Sequence, residues 1–273
     1  MKKLVNLKIY FVLITGLFLM SCEKVIDVDL KDAQPRLVIE GNVTSEPGPY
    51  VVSLSKSGSY FDYNTLERVQ NGVVTIKDED GNAEVLTEVS PGIYHTENMQ
   101  GMENTNYTIQ VISEGETYTA NEYLPNKIEI DTLFYIKDKP GSFGPNQDKE
   151  TYSIYCVFSD PVETTDYYRF KIYINDQLEE AGFGTYLVVD DELFNGITFS
   201  LQFRGREVIP GDIVRLELQT TGFNTYEYFR TLNDALSGGG MGSTPYNPIT
   251  NLDNGALGYF GAYNTSAKEI LIQ

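Results

Sequence analysis

GVVTIKDEDGNAEVLT, residues 72–87, is the stretch that decides the fold of this chain. Apolar and polar residues alternate on both sides of its centre, and this two-residue period is typical of β-strands. Between the two runs, Asp80-Gly81 supplies the positive φ angles that a tight hairpin turn requires. The stretch therefore predicts two antiparallel strands joined by a short turn.

Similar short runs surround this hairpin, and turn signals such as Pro91-Gly92 and Glu114-Gly115 separate them. Closely spaced antiparallel strands of this kind are typical of a β-sandwich, which we predict for residues 35–124. The other strands expected in this block are 36–41, 50–54, 107–112 and 117–120.

A second block begins after Leu124, because Pro125 interrupts the pairing of a central strand. We predict a β-rich domain over 125–273, with one helix near 226–236 capped by Asn224 or Thr225. The fold class is therefore all-β, with two β-sandwich domains. The strands expected in this block are 128–136, 152–158, 167–174, 184–189, 198–203, 213–218 and a last strand near Ile270.

The chain opens with the layout of a secretory signal peptide, predicted over residues 1–21: two lysines, an apolar run and a small residue before Cys22. The ending Leu19-Met20-Ser21-Cys22 resembles the lipobox of bacterial lipoproteins, which implies that Cys22 is lipidated. An export signal with an incidental cysteine is the alternative. Residues 22–34 mix acidic and apolar side chains and are expected to form an acidic tether.

The charge balance excludes some partners. The chain carries 39 acidic and 20 basic residues, a formal net charge of −19. Binding of nucleic acid is excluded, because it needs a basic face. Solubility of an exported protein explains the acid excess, and cation binding is the alternative.

Catalytic motifs are absent from the sequence, and we predict neither enzyme activity nor a cofactor. No nucleophile elbow, zinc-protease helix, phosphate-binding loop or Cys-x-x-Cys occurs. His95 is the only histidine, and Cys156 sits in an alternating strand pattern that favours a buried structural thiol.

Two groups of residues are candidates for binding. Asp78, Asp80 and Asn82 alternate like the start of a calcium loop, but no later acid has the spacing of an EF-hand, and a plain hairpin turn is the alternative. Asp190-Asp191-Glu192 is a second acidic cluster that could bind calcium, with a solvated loop as the alternative. The chain also has 20 tyrosines. Those beside glycine and proline are expected in loops that form a recognition surface, because tyrosine offers a large contact area with a polar tip. These tyrosines are Tyr246, Tyr259 and Tyr263.

Two resemblances to known families follow from these motifs. The hairpin, Pro91-Gly92-Ile93-Tyr94 and Asn106–Val111 resemble immunoglobulin-like or carboxypeptidase-regulatory-like sandwiches of exported bacterial proteins. The whole order of elements, from Cys22-Glu23-Lys24 to the segment Gly255–Tyr263, resembles the domain of unknown function 4249 family, lipoproteins of Gram-negative bacteria often encoded beside TonB-dependent receptors.

This resemblance implies a non-enzymatic lipoprotein of the outer membrane, facing the cell surface rather than the periplasm. Its expected role is that of an accessory or substrate-capture subunit of a TonB-dependent receptor. A structural, adhesion or assembly factor of the envelope is the alternative. The sequence names neither the ligand nor the oligomeric state.

Overall fold

Strands dominate the protein, as the alternating sequence predicts. The computed structural model describes residues 34–58, 66–139, 150–179, 187–203, 208–238 and 246–273. The predicted signal peptide, Cys22 and nearly all of the tether lie outside these residues. The elements are β1 Leu37–Thr44, β2 Val51–Lys56, β3 Val73–Asp78, β4 Ala83–Val85, β5 Thr87–Ser90, β6 Ile93–His95, β7 Thr105–Ser113, β8 Glu116–Leu124, β9 Ile130–Lys137, β10 Tyr152–Ser159, β11 Tyr167–Ile174, β12 Gln177–Leu178, β13 Leu187–Asp190, β14 Thr198–Phe203, β15 Ile213–Thr221, α1 Phe223–Gly238 and β16 Leu257–Leu271.

One long sheet connects the two halves of the chain. Its strand order is β12-β11-β15-β16-β1-β2-β6-β5, and β13 also pairs with β11. Strand β16 lies between β1, to which it is parallel, and β15, to which it is antiparallel. The last strand therefore joins the two parts of this open sheet by pairing with the first strand.

Two smaller sheets cover different parts of the long sheet. The four-stranded sheet β4-β3-β7-β8 packs on β1, β2 and β6 through a first core that includes Ile39, Leu54 and Ile109. The three-stranded sheet β14-β10-β9 packs on β11 and β15 through a second core that includes Phe158 and Leu216. The all-β sandwich prediction is confirmed.

The two predicted sandwich domains are joined by a shared sheet. Two cores do lie on either side of the predicted boundary at Pro125, but residues 35–273 form one compact unit because the two sandwiches share the long sheet. Phe260 and Ala262 of β16 belong to the first core, although they lie far beyond the boundary in sequence. The sequence pattern shows local strands and not which distant strands pair.

Two predicted boundaries also shift. Helix α1 begins at Phe223, so Asn224 and Thr225 lie in its first turn and do not precede it. The last strand extends from Leu257 to Leu271, and it includes most of the glycine-rich segment that we predicted to be a loop. Within the described residues, no helix combines the length and the apolar character needed to cross a bilayer.

Candidate functional site

A cavity of about 510 Å³ opens where strand β8, the loop after β10 and the start of helix α1 meet. Both halves of the chain contribute to it, so it depends on the shared sheet. Its volume falls in the range of small-molecule sites. Amide, hydroxyl, carboxyl and aromatic side chains form most of its wall, and the residues that the following paragraphs use are Glu122, Tyr123, Glu163, Asp166, Tyr167 and Phe223.

Glu122 is the buried carboxylate of this cavity, with 3% of its surface exposed. It accepts hydrogen bonds from the backbone N–H of Thr225 at 2.7 Å and from the Thr225 hydroxyl at 2.9 Å. The N–H of Tyr123 donates to its other oxygen at 3.0 Å. The first turn of a helix has free N–H groups, so a side chain of β8 replaces the local cap that the sequence predicts.

Burial raises the pKa of Glu122 to about 7, although the hydrogen bonds from Tyr123 and Thr225 act in the opposite direction. The charged carboxylate loses its hydration in this position, and this cost exceeds the gain from its donors. A carboxyl group with this pKa changes its charge near neutral pH. The cavity therefore contains a group whose proton can respond to a bound ligand.

Gly222 allows the helix to start this close to β8. A Cβ atom at this position would lie 2.6 Å from the carbonyl oxygen of Tyr123 and would overlap the Glu122 carboxylate. No larger residue fits between the end of β15 and this carboxylate. The glycine thus fixes the approach of α1 to the cavity.

Aromatic rings line the opening of the cavity. Phe223 is 51% exposed, and its ring centroid lies 5.3 Å from that of Tyr167. Among the lining residues that the structure describes, no lysine, arginine or histidine occurs, whereas Glu122, Glu163 and Asp166 are acids. Exposed rings beside amide and hydroxyl groups suit a polar ligand with an apolar face, such as a sugar ring or a peptide.

Three buried carboxylates, Asp160, Asp166 and Asp191, lie next to the cavity, and Asp166 also lines it. One oxygen atom of each carboxylate lies within 4.8 Å of one oxygen of each of the other two. Burial raises the pKa of Asp166, and the charges of Asp160 and Asp191 add to this effect. Such a set suits a divalent cation or, without one, favours a shared proton.

Hydrogen bonds hold these three carboxylates in place. Asp160 accepts from the hydroxyl of Tyr168 and, at 2.8 Å, from the N–H of Gly196. Asp191 accepts from the N–H of Asp166 at 2.8 Å. These hydrogen bonds connect the loop between β10 and β11 to the turn after β13. Of the three acids, only Asp191 was a predicted candidate, although Asp160 directly after β10 and Asp166 directly before β11 were a usable signal.

The tyrosines predicted as a loop surface do not lie together in a loop. Tyr246 is outside the secondary structure and 49% exposed. Tyr259 and Tyr263 lie in β16, and the ring of Tyr259 stacks on Tyr228 of α1 with centroids 4.5 Å apart. The prediction that Tyr259 and Tyr263 are loop residues is wrong, because Gly258 and Gly261 are part of a strand. None of the three tyrosines lines the cavity.

The first calcium candidate is a hairpin turn. Asp78 accepts hydrogen bonds from the backbone and side-chain N–H groups of Asn82, at 2.8 and 2.7 Å. These bonds use both oxygens of the carboxylate, and Asp80 is exposed in the turn. Gly81 has a φ of +90°, as the predicted turn requires.

The second acidic cluster is divided between two environments. Asp190 accepts a hydrogen bond from the hydroxyl of Tyr226 at 2.8 Å, whereas Asp191 joins the buried carboxylates and Glu192 is exposed.

Cys156 is buried and free, as predicted, and burial raises the pKa of its thiol to about 12. A thiol with this pKa is a poor nucleophile at neutral pH.

These features define a class: an all-β protein whose two sandwiches share one sheet and border a cavity with a largely polar and aromatic wall. The chain belongs to the family described as domain of unknown function (DUF4249), whose model matches residues 23–269. This match confirms the resemblance inferred from the order of the motifs. No curated protein matches the chain.

Proposed function

We propose that this protein is a non-enzymatic lipoprotein of the outer membrane that captures a substrate for a TonB-dependent receptor. The observation that supports this role is the cavity, because its volume and its aromatic and amide wall suit reversible binding of a small polar molecule. Lipid on Cys22 would hold the protein at the membrane, preferably on the cell surface. Several acyl chains provide stable anchoring, since one chain binds only marginally.

The reactive groups of the cavity favour binding over catalysis. Glu122 is held by donors from Tyr123 and Thr225, and Asp166 is buried among other carboxylates. Each accepts a hydrogen bond from a threonine hydroxyl, Thr225 for Glu122 and Thr164 for Asp166, and no serine, cysteine or lysine occurs among the described residues that line the cavity. The rings of Tyr167 and Phe223 are placed to contact a ligand at the opening.

The test combines isolation of the native complex with a variant that fills the cavity. We expect a TonB-dependent receptor to accompany the lipoprotein when it is purified from outer membranes in mild detergent. Thr165→Trp places a large ring at the exposed edge of the cavity and is expected to abolish uptake of that receptor's substrate while receptor binding persists. Thr117→Trp, at an exposed position of β8 outside the cavity, is the matched control and should leave uptake unchanged.

Two results would contradict the proposal. Recovery of the lipoprotein with envelope assembly machinery, and without a receptor, would favour the structural alternative. Equal uptake in the Thr165→Trp and Thr117→Trp strains would show that the cavity does not carry the substrate.

A further inference from the structure

The face of the long sheet opposite the second core carries three cationic side chains, beside the acids Glu217 and Glu269, in a chain whose formal net charge is −19. Arg169 and Lys171 alternate along β11 with Phe170 and Ile172, which lie in the second core. Across the strand pair, Arg169 is opposite Gln219, and Lys171 is opposite Glu217. We call this surface the cationic face, and its members are Arg169, Lys171, Arg215, Glu217, Gln219 and Tyr263.

The two arginines of the cationic face are held by aromatic rings. The guanidinium of Arg169 lies 3.7 Å from the ring centroid of Phe229, and that of Arg215 lies 3.8 Å from the centroid of Tyr173. Such contacts hold a guanidinium in place. Arg215 also pairs with Glu217, so this acid already has a partner.

Lys171 differs from both arginines. Among the residues that the structure describes, it forms no hydrogen bond or ion pair, because its cross-strand neighbour Glu217 binds Arg215 and accepts from the hydroxyl of Tyr173 at 3.3 Å. Burial lowers the pKa of Lys171, and the charge of Arg169 lowers it further. A partly buried ammonium without a partner is unfavourable, so an anion from outside would stabilise it.

A further polar group on the cationic face lacks a partner. Tyr263 is partly exposed, and its hydroxyl forms no hydrogen bond with the described residues, although the charges of Arg169 and Glu217 reach it. Buried polar groups are nearly always paired with protein, water or ligand. The unpaired ammonium of Lys171 and the unpaired hydroxyl of Tyr263 lie on one face, and they therefore indicate a place for a polar ligand and its waters.

We propose that the cationic face is a second binding site, which takes an acidic group of a ligand, a carboxylate or a phosphate, on the ammonium of Lys171. Arg169 and Arg215 flank this position on the same face, and their rings keep them in place. The hydroxyl of Tyr263 supplies a further donor. None of these residues lines the cavity. The proposal of a second site therefore does not depend on whether the cavity captures a substrate.

Thermal unfolding of the full mature lipoprotein in detergent tests this site, with circular dichroism as the readout. Sodium phosphate and sodium glucuronate are the probes, with sodium chloride at equal ionic strength and glucose as controls. At roughly ten times Kd, one of the two anions should raise Tm by about 3–5 °C above the chloride control. Glucose, which has the hydroxyls and lacks the carboxylate, should have no effect.

Variants locate the response. Lys171→Met keeps the length of the side chain and should abolish the Tm shift, whereas Lys77→Met, at an exposed position of β3, should retain it. A response to phosphate alone assigns a phosphoryl ligand, and a response to glucuronate alone assigns a carboxylate. If Lys171→Met does not fold, the labelling rate of Lys171 by trinitrobenzenesulfonate in the unchanged protein replaces it, and the binding anion should slow that rate.

The proposal is overturned if neither anion exceeds chloride, or if both lysine variants lose the shift equally. It is also overturned if labelling of Lys171 is as fast with the anion as without it. These outcomes do not depend on the receptor or on uptake, so they are distinct from a failure of the proposed function.

Discussion

Gly258→Ala is expected to lower the free energy of unfolding by about 3–5 kcal/mol, the largest effect that we predict for a single methyl group. Gly258 has a φ of +89°, which is unfavourable for alanine. The added Cβ would also overlap the carbonyl oxygen of Ile39 in the paired strand β1. Because the oxygen is a backbone atom and the position of Cβ is fixed by the backbone of β16, neither strand can avoid the overlap by changing a rotamer. Urea denaturation followed by far-UV circular dichroism measures the loss.

Gly115→Ala is the matched control for this prediction. Gly115 has a similar φ of +86°, but no atom lies within 4 Å of its Cβ position. It should therefore show only the backbone cost, about 1 kcal/mol. If the two variants lose the same stability, the close approach of β16 to β1 at Gly258 is wrong.

Glu122→Gln is expected to remove a pH dependence of about 3 kcal/mol from the stability of the protein. The pKa of this carboxyl group is about 7 in the folded protein and 4.5 without the fold. Between these values the folded protein retains a proton that the unfolded chain has released. The contribution of Glu122 is therefore complete below about pH 4.5 and is lost as pH rises through 7. Urea denaturation at pH 4 to 8, with the wild type and the variant in parallel, isolates this contribution.

The control for the pH series is Glu163→Gln, which changes an exposed acid in the wall of the same cavity. This variant should follow the pH profile of the wild type. A profile of Glu122→Gln that also parallels the wild type would show that folding does not shift the pKa of Glu122, because the donors of Thr225 and the start of the helix offset its burial.

Local patterns predicted individual strands well. Strand β11 spans Tyr167–Ile174 as expected, because apolar residues alternate with Arg169 and Lys171 along it. Helix α1 was also expected, since Tyr226 and Phe229 recur at helical spacing and both are buried. These elements depend on periodicity within the segment, which the sequence contains directly.

Contacts between distant residues were not predictable in the same way. The cap of α1 comes from Glu122, 103 residues before Thr225. The pairing of β1 with β16 brings Ile39 opposite Gly258. The cavity depends on both, so it could not be located before the topology was known. The start of β16 was predicted to be a loop, because Gly258 and Gly261 are typical of loops when the strands that pair with them are unknown.

The position of β16 in the sheet determines when the long sheet can form as the chain is synthesised. During synthesis, β1 and β15 emerge before the strand that must lie between them, so each presents an unpaired edge until Leu257–Leu271 follows. Open edges of this kind pair readily with other chains. The two halves can collapse early, but the joined sheet forms only when the last strand arrives. Newly made chains would then need protection from aggregation up to that moment.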